Sequence, residues 1–356
     1  MGFERPGPMR HLFWKSLVTW MWISAVGAGA LPIVLRDQGG AAPGTQAGDA
    51  FALAAARVGA LFTDPVTVYI DIGYGTLAGG VLGETNSNLY DVFVDDVRSA
   101  LVIDQTSFAD NIAAANLGSG PLQMFTNAVN GAEYFDNNNT YNNNRVAVTQ
   151  ANLRALGIDV FGAASDASIT FSNAVNWDFN PDDGIAAGSY DFVGVAMHEI
   201  LHTMGFSSGV TDIDYYTGVG PGAGQYDIDG NYWYRLMDLY RYRAPGVRDL
   251  AFGGTPYFSI DGGTTNSGAY STGEYNGDGQ QPSHWKDGLG LGLMDPTLGT
   301  GERGTITARD LLAMDVIGWD LAVAADAPEL DGGLATMPVT IAGLSLLIGL
   351  GRRRRS

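Results

Sequence analysis

Asp191-Phe192-Val193-Gly194-Val195-Ala196-Met197-His198-Glu199-Ile200-Leu201-His202-Thr203-Met204 is the stretch that decides how this chain is read. It predicts the best helix in the sequence, with Gly205 standing where a left-handed stop is wanted. Residues four apart on a helix share a face, so His198 and His202 lie one turn apart. Two imidazoles so placed can hold one Zn²⁺ at about 2.0–2.1 Å each. Glu199, next to the first of them, reaches a water beside the metal and can take its proton. The whole chain has only four histidines, so this spacing is rarely met by chance.

A catalytic zinc needs a third protein ligand and an open position. Cysteine is absent, which removes sulfur ligands, disulfides and a thiolate nucleophile together. Outside the motif the histidines are His11, near the N-terminus, and His284 in Ser283-His284-Trp285. His284 is the candidate third ligand. Asp212 and Asp214 are its rivals, since a carboxylate also binds zinc. A second metal signal is weaker. Asp227-Ile228-Asp229-Gly230-Asn231 looks like part of a calcium loop, but its glycine comes early and no glutamate closes it, so a plain turn is the better expectation.

The motif extends to His198-Glu199-x-x-His202-x-x-Gly205-Phe206, and this resembles the metzincin metalloproteases. Most of that clan carry a His or Asp three residues beyond the glycine. Here the position is Ser208, a poor ligand. The arrangement is similar to the leishmanolysin-type proteases, in which a long insertion separates the glycine from a third histidine in a Ser-His-Trp context. The resemblance implies that Phe206 to Ser283 is that insertion and that His284 completes the zinc site. It also implies that Met294, in Gly292-Leu293-Met294-Asp295-Pro296, is the Met-turn floor beneath the ligands. The implied fold is α+β: a metzincin-like zincin with a twisted mixed sheet packed on the active-site helix, above a loop-rich lower subdomain. Such enzymes lay an extended peptide on an edge strand, a role expected here for Ala167–Phe171. The implied activity is a secreted zinc endopeptidase with polypeptide substrates.

The rest of the chain sets the frame. Its 356 residues are 46% apolar and 16% charged, enough for a core and far from a disordered composition. Lys and Arg number 19 against 38 Asp and Glu, for a net charge of −19, which argues against nucleic-acid partners. Residues 1–30 read as a secretory signal: Arg10 and Lys15, an apolar run from Leu17, and a small-residue Ala28-Gly29-Ala30 end. Met337 to Leu350 is apolar and is followed by Arg352 to Arg355, too short to span a bilayer as a relaxed helix. This tail resembles the C-terminal sorting signals that exosortases process in Gram-negative bacteria. Export machinery and such a sorting enzyme are therefore expected partners, with an extracellular or cell-surface location. The ends carry +2 and +4, which leaves −25 on the middle.

Within that middle, residues 31–60 read as a candidate pro-segment, 61–206 as an upper subdomain, 207–320 as a lower one and 321–336 as a linker. Helices are expected at Ala50–Leu61 with Asp49 as cap, Leu89–Ile103, Asp110–Leu117, Thr149–Leu156 and Thr307–Ile317. Strands are expected at Val66–Ile72 and Ala167–Phe171, and Asn137–Asn144 reads as a loop. Two other functions stay open: a zinc hydrolase of non-peptide bonds, and an anchored surface or adhesion protein whose zinc site does no catalysis. An intact Glu199 argues against the second.

Overall fold

The computed structural model describes residues 21–23, 29–158, 160 and 162–322. Most of the expected leader, nearly all of the linker and the whole sorting tail lie outside them. In chain order the first elements are β1 (Met21–Ile23), β2 (Ile33–Gly39), α1 (Gln46–Gly59), β3 (Val68–Gly75), β4 (Gly83–Ser87), β5 (Leu89–Phe93), α2 (Val94–Ile103) and α3 (Phe108–Asn116). Next come β6 (Met124–Asn127), β7 (Glu133–Asp136), α4 (Tyr141–Asn144), β8 (Arg145–Thr149), α5 (Gln150–Ala155), β9 (Ala167–Ser172), β10 (Trp177–Asp178) and β11 (Tyr190–Asp191). The remainder are α6 (Phe192–Thr203), α7 (Val210–Tyr216), β12 (Arg241–Ala244), β13 (Val247–Asp249), β14 (Tyr257–Phe258), β15 (Gly268–Ala269) and α8 (Ala308–Asp315). The architecture is α+β.

The first sheet has the order β1-β2-β3-β9-β4. Strands β2, β3 and β9 run parallel, while β4 returns antiparallel to β9 at the edge. In β3 every second side chain is buried: Val68, Ile70 and Ile72 are all fully enclosed. Such alternation leaves one sheet face to be covered, and α1 and α6 lie against one another beneath it. Phe51 of α1, Phe171 of β9 and Phe192 of α6 meet with ring centroids 4.6–4.9 Å apart. Residues 31–60, expected as an N-terminal segment, pack into this layer. Leu31, Ile33, Leu35, Phe51 and Val58 belong to the core, so the packed body includes residues well before 61, and β1, within the expected leader, pairs with β2 at the edge of the same sheet.

The second sheet, β15-β14-β12-β13-β6-β7, draws most of its strands from the long insertion. That segment, read as loop-rich from sequence, is held by short strands, of which β13 pairs in parallel with β6, Arg248 against Met124. Strands of two to four residues leave no periodicity to read.

Local chemistry accounts for several boundaries. Thr45, not Asp49, caps α1, accepting a hydrogen bond from Gly48 N at 3.1 Å, so the helix starts four residues earlier than expected. Ser107 with Asp110, and Thr307 with Asp310, form capping boxes on α3 and α8. Leu89–Ile103 divides into a strand and a helix, because Leu89–Phe93 pairs with Arg145–Thr149 and long-range pairing overrides helical periodicity there. Part of the expected Asn137–Asn144 loop coils into α4.

Four carboxyls gather where α2, α8 and the chain before β3 meet. Asp64 accepts from Asp320 N, and Asp315 accepts from Ser107 Oγ. Burial first, and the facing carboxylates second, push Asp64 and Asp104 up to about 7; burial raises Asp315 to about 6. In the folded chain these groups keep protons that the unfolded chain, titrating near about 4, has already lost. Their contribution to stability is complete below about pH 4 and disappears as the pH rises to 7. Thermal melts of metal-free protein should therefore show Tm falling between pH 5 and pH 8. Asp104→Asn should flatten that slope, and an unchanged slope would remove this account.

Candidate metal centre

Helix α6 carries the motif. Asp191 caps its start, with Oδ1 accepting from Gly194 N at 2.9 Å. Its end falls at Met204, where Gly205 takes φ +113°, a value that strains any side chain. A Cβ at Gly205 would also stand 2.5 Å from the Asn152 amide oxygen. The chain then turns back so that Phe206 O faces Nδ1 of His202 at 2.5 Å.

His284 returns to the same place from far along the sequence. Its carbonyl accepts from Ser271 N at 3.1 Å, and Trp285 N donates to Met294 O at 2.9 Å. Trp285 is fully buried and stacks on Tyr270 at 5.2 Å. The result is a triangle of Nε2 atoms. His198 and His202 are 3.0 Å apart, His202 and His284 3.1 Å, and His198 and His284 3.2 Å. Among the described residues, this is the group of metal-ligating side chains whose ligand atoms all lie within 4.8 Å of one another.

Each Nδ1 meets a backbone carbonyl: Leu293 O for His198 at 2.8 Å, Phe206 O for His202, and Gln281 O for His284 at 3.2 Å. A carbonyl only accepts, so Nδ1 carries the hydrogen and each neutral ring keeps its lone pair on Nε2. Burial, and then the neighbouring imidazoles, push His202 well below its ordinary value. Burial first and His198 second lower His284 to about 3. Three bare lone pairs facing one another repel unless a cation lies between them. Ligands about 2.05 Å from a tetrahedral ion are about 3.3 Å apart, close to the spacing here. The residues present therefore fit a divalent metal. Three imidazoles alone do not single out zinc from other first-row ions.

The other candidates are placed as follows. Met294 is fully buried in the turn that follows His284. Asp212 and Asp214 stay outside the triangle. Asp212 pairs with Arg235 at 2.7 Å, and Asp214 accepts from Tyr275 N and Asn276 N at 3.0 and 2.8 Å. Ser208 is buried and donates to Asp238 at 2.6 Å. The Asp227–Asn231 turn docks elsewhere, with Asp229 accepting from the Tyr134 hydroxyl and Asn138 Nδ2.

Glu199 and the triangle line one cleft of about 1190 Å³. Burial raises the Glu199 carboxyl above its ordinary range, while His198 and a hydrogen bond from Thr85 lower it. That bond, Thr85 Oγ1 to Glu199 Oε2, is 2.6 Å long. Thr85 lies on β4, and this corrects the expected edge strand. Ala167–Phe171 sits inside the sheet, between β3 and β4, and the strand bordering the cleft is Gly83–Ser87. Gly-Glu-Thr-Asn-Ser has no apolar alternation, so nothing in its sequence marked it as a strand.

Titration of metal-free protein with Zn²⁺ or Co²⁺ should give one equivalent per chain. His284→Ala should weaken uptake by more than about 100-fold, beyond the usual effect of an outer partner, and Asp212→Asn should leave it unchanged. The reverse ranking would replace His284 with a carboxylate. Comparison with protein-family models, with curated proteins and with solved structures found no match for this chain.

Proposed function

We propose that the chain is a secreted zinc-dependent endopeptidase of metzincin type, similar to the leishmanolysin group. The observation that carries this reading is the meeting of three imidazoles with a buried carboxylate, Glu199, in a cleft bordered by an antiparallel edge strand. The β2-β3-β9 parallel core, the glycine-ended helix and the buried Met294 support the metzincin assignment.

His198, His202 and His284 would hold the ion, and one position would remain for water or substrate. When bound, zinc acts as a Lewis acid that acidifies water and polarises a carbonyl. The chain's own residues do the rest. An extended peptide pairs with the free edge of β4, which sets its scissile bond across the triangle. Glu199 takes the proton of the attacking water and later returns it to the leaving amine. Its carboxyl is suited to both steps because burial raises its affinity for the proton. Thr85 holds Oε2 and fixes the rotamer from the substrate strand itself. Exchange of Glu199 for an uncharged group would leave ligand geometry intact and remove the base. Export through the leader and sorting through the Arg-rich tail complete the proposal.

Glu199→Gln should lower kcat/KM on a protein substrate by about 10²–10⁴-fold while zinc uptake stays at the parent level. A variant that loads zinc and still cleaves at the parent rate would refute the mechanism. Thr85→Val removes a hydrogen bond that lowers the Glu199 pKa. The acid limb of the pH–rate profile should then move to higher pH, and movement in the opposite sense would contradict the assignment of that limb to Glu199.

A further inference from the structure

Each histidine of the triangle leans on a peptide carbonyl, and what lies behind those carbonyls differs. Behind Gln281 O the next residue is Pro282, which has no N–H. Behind Phe206 O the next N–H belongs to Ser207, with no carboxylate bonded to it. Behind Leu293 O, the partner of His198, the same peptide unit ends in Met294 N, and that N–H points at Asp310 Oδ1 at 3.3 Å.

Asp310 is fully buried on α8. Trp285 Nε1 also donates to its Oδ1 at 2.8 Å. Its Oδ2 accepts from Leu293 N at 2.8 Å and Thr307 N at 2.7 Å, with Thr307 Oγ1 at 3.0 Å. Its neighbours on both oxygens are N–H or O–H donors, a setting that suits a carboxylate and not a carboxamide. Gly292 makes the approach possible, since a Cβ there would lie 2.4 Å from both oxygens.

We infer that Asp310 is a positioning residue for the metal centre, acting on His198 through the Leu293–Met294 peptide unit. Metal-bound histidines commonly donate their second ring N–H to a carboxylate, which fixes the tautomer and raises ligand basicity. Here one peptide unit stands between the two groups. The carboxylate draws on the Met294 N–H, the peptide dipole is enhanced, and the Leu293 oxygen becomes a stronger acceptor for His198 Nδ1–H. Helix α8, far from the motif in sequence, thereby bears on the carbonyl that anchors His198. This inference rests on the reading of the triangle as a metal centre.

Three metal-free proteins test it: the parent, Asp310→Asn and Trp285→Phe, each titrated with Zn²⁺ against a chelating dye and with Co²⁺ by absorption. Asp310→Asn should weaken zinc binding by about 10- to 100-fold and shift the Co²⁺ bands, while Trp285→Phe, which removes one donor outside the relay, should change either reading little. Parent-like affinity and spectrum in Asp310→Asn would overturn the inference, and so would an equal loss in both variants, which would mean general loosening. If Asp310→Asn does not fold, NMR of the unaltered chain decides. Zinc addition should move the Met294 amide proton downfield with the Ser207 amide as control, and an unmoved Met294 resonance counts against the relay. A parent that takes up no metal would overturn the metal reading and this inference with it, whereas a parent that binds as tightly as Asp310→Asn sinks the relay alone.

Discussion

Three uncharged imidazole nitrogens, held within 3.2 Å of one another with their lone pairs turned inward, are the constraint on which the rest of the structure depends. Left alone, that arrangement is repulsive. It persists because each ring is anchored from behind, by Leu293, Phe206 and Gln281 carbonyls, and because burial disfavours protonation of His202 and His284. Strain of this kind is usually found where a protein is prepared for a ligand. The backbone anchors prepare the centre before any ion arrives.

The two halves of the chain divide the work. The first sheet with α1 and α6 supplies a rigid platform, and α6 puts two ligands and Glu199 on one rod packed against Phe51 and Phe171. The second sheet brings back a single histidine. Its many short strands bury Tyr270, Trp285 and Phe258 around the segment that carries His284. A histidine 82 residues from its partner needs this much scaffolding, because loop closure alone would leave it in many positions. Thr85 then links the edge strand to Glu199, so in the proposed mechanism substrate contact and proton transfer would share one element.

Much of the site was legible in the sequence. His198, Glu199, His202 and Gly205 declare themselves by spacing, and His284 followed from the scarcity of histidine and its place before Met294. What escaped reading shares a physical cause. β4 and Thr85 lie in a polar stretch whose strand state comes only from pairing with β9. Asp310 reads as an ordinary helix cap, and its bonds to Leu293, Met294 and Trp285 exist only in three dimensions. Residues 31–60 have the apolar spacing of core elements, and they supply Leu31, Ile33, Phe51 and Val58 to the core.

The most direct test of the central claim is X-ray absorption at the zinc K-edge on the loaded protein. The account predicts three imidazole nitrogens at about 2.0–2.1 Å, with one lighter, exchangeable ligand completing a tetrahedral shell. Two imidazoles with a carboxylate, or a shell with no imidazole scattering, would contradict it.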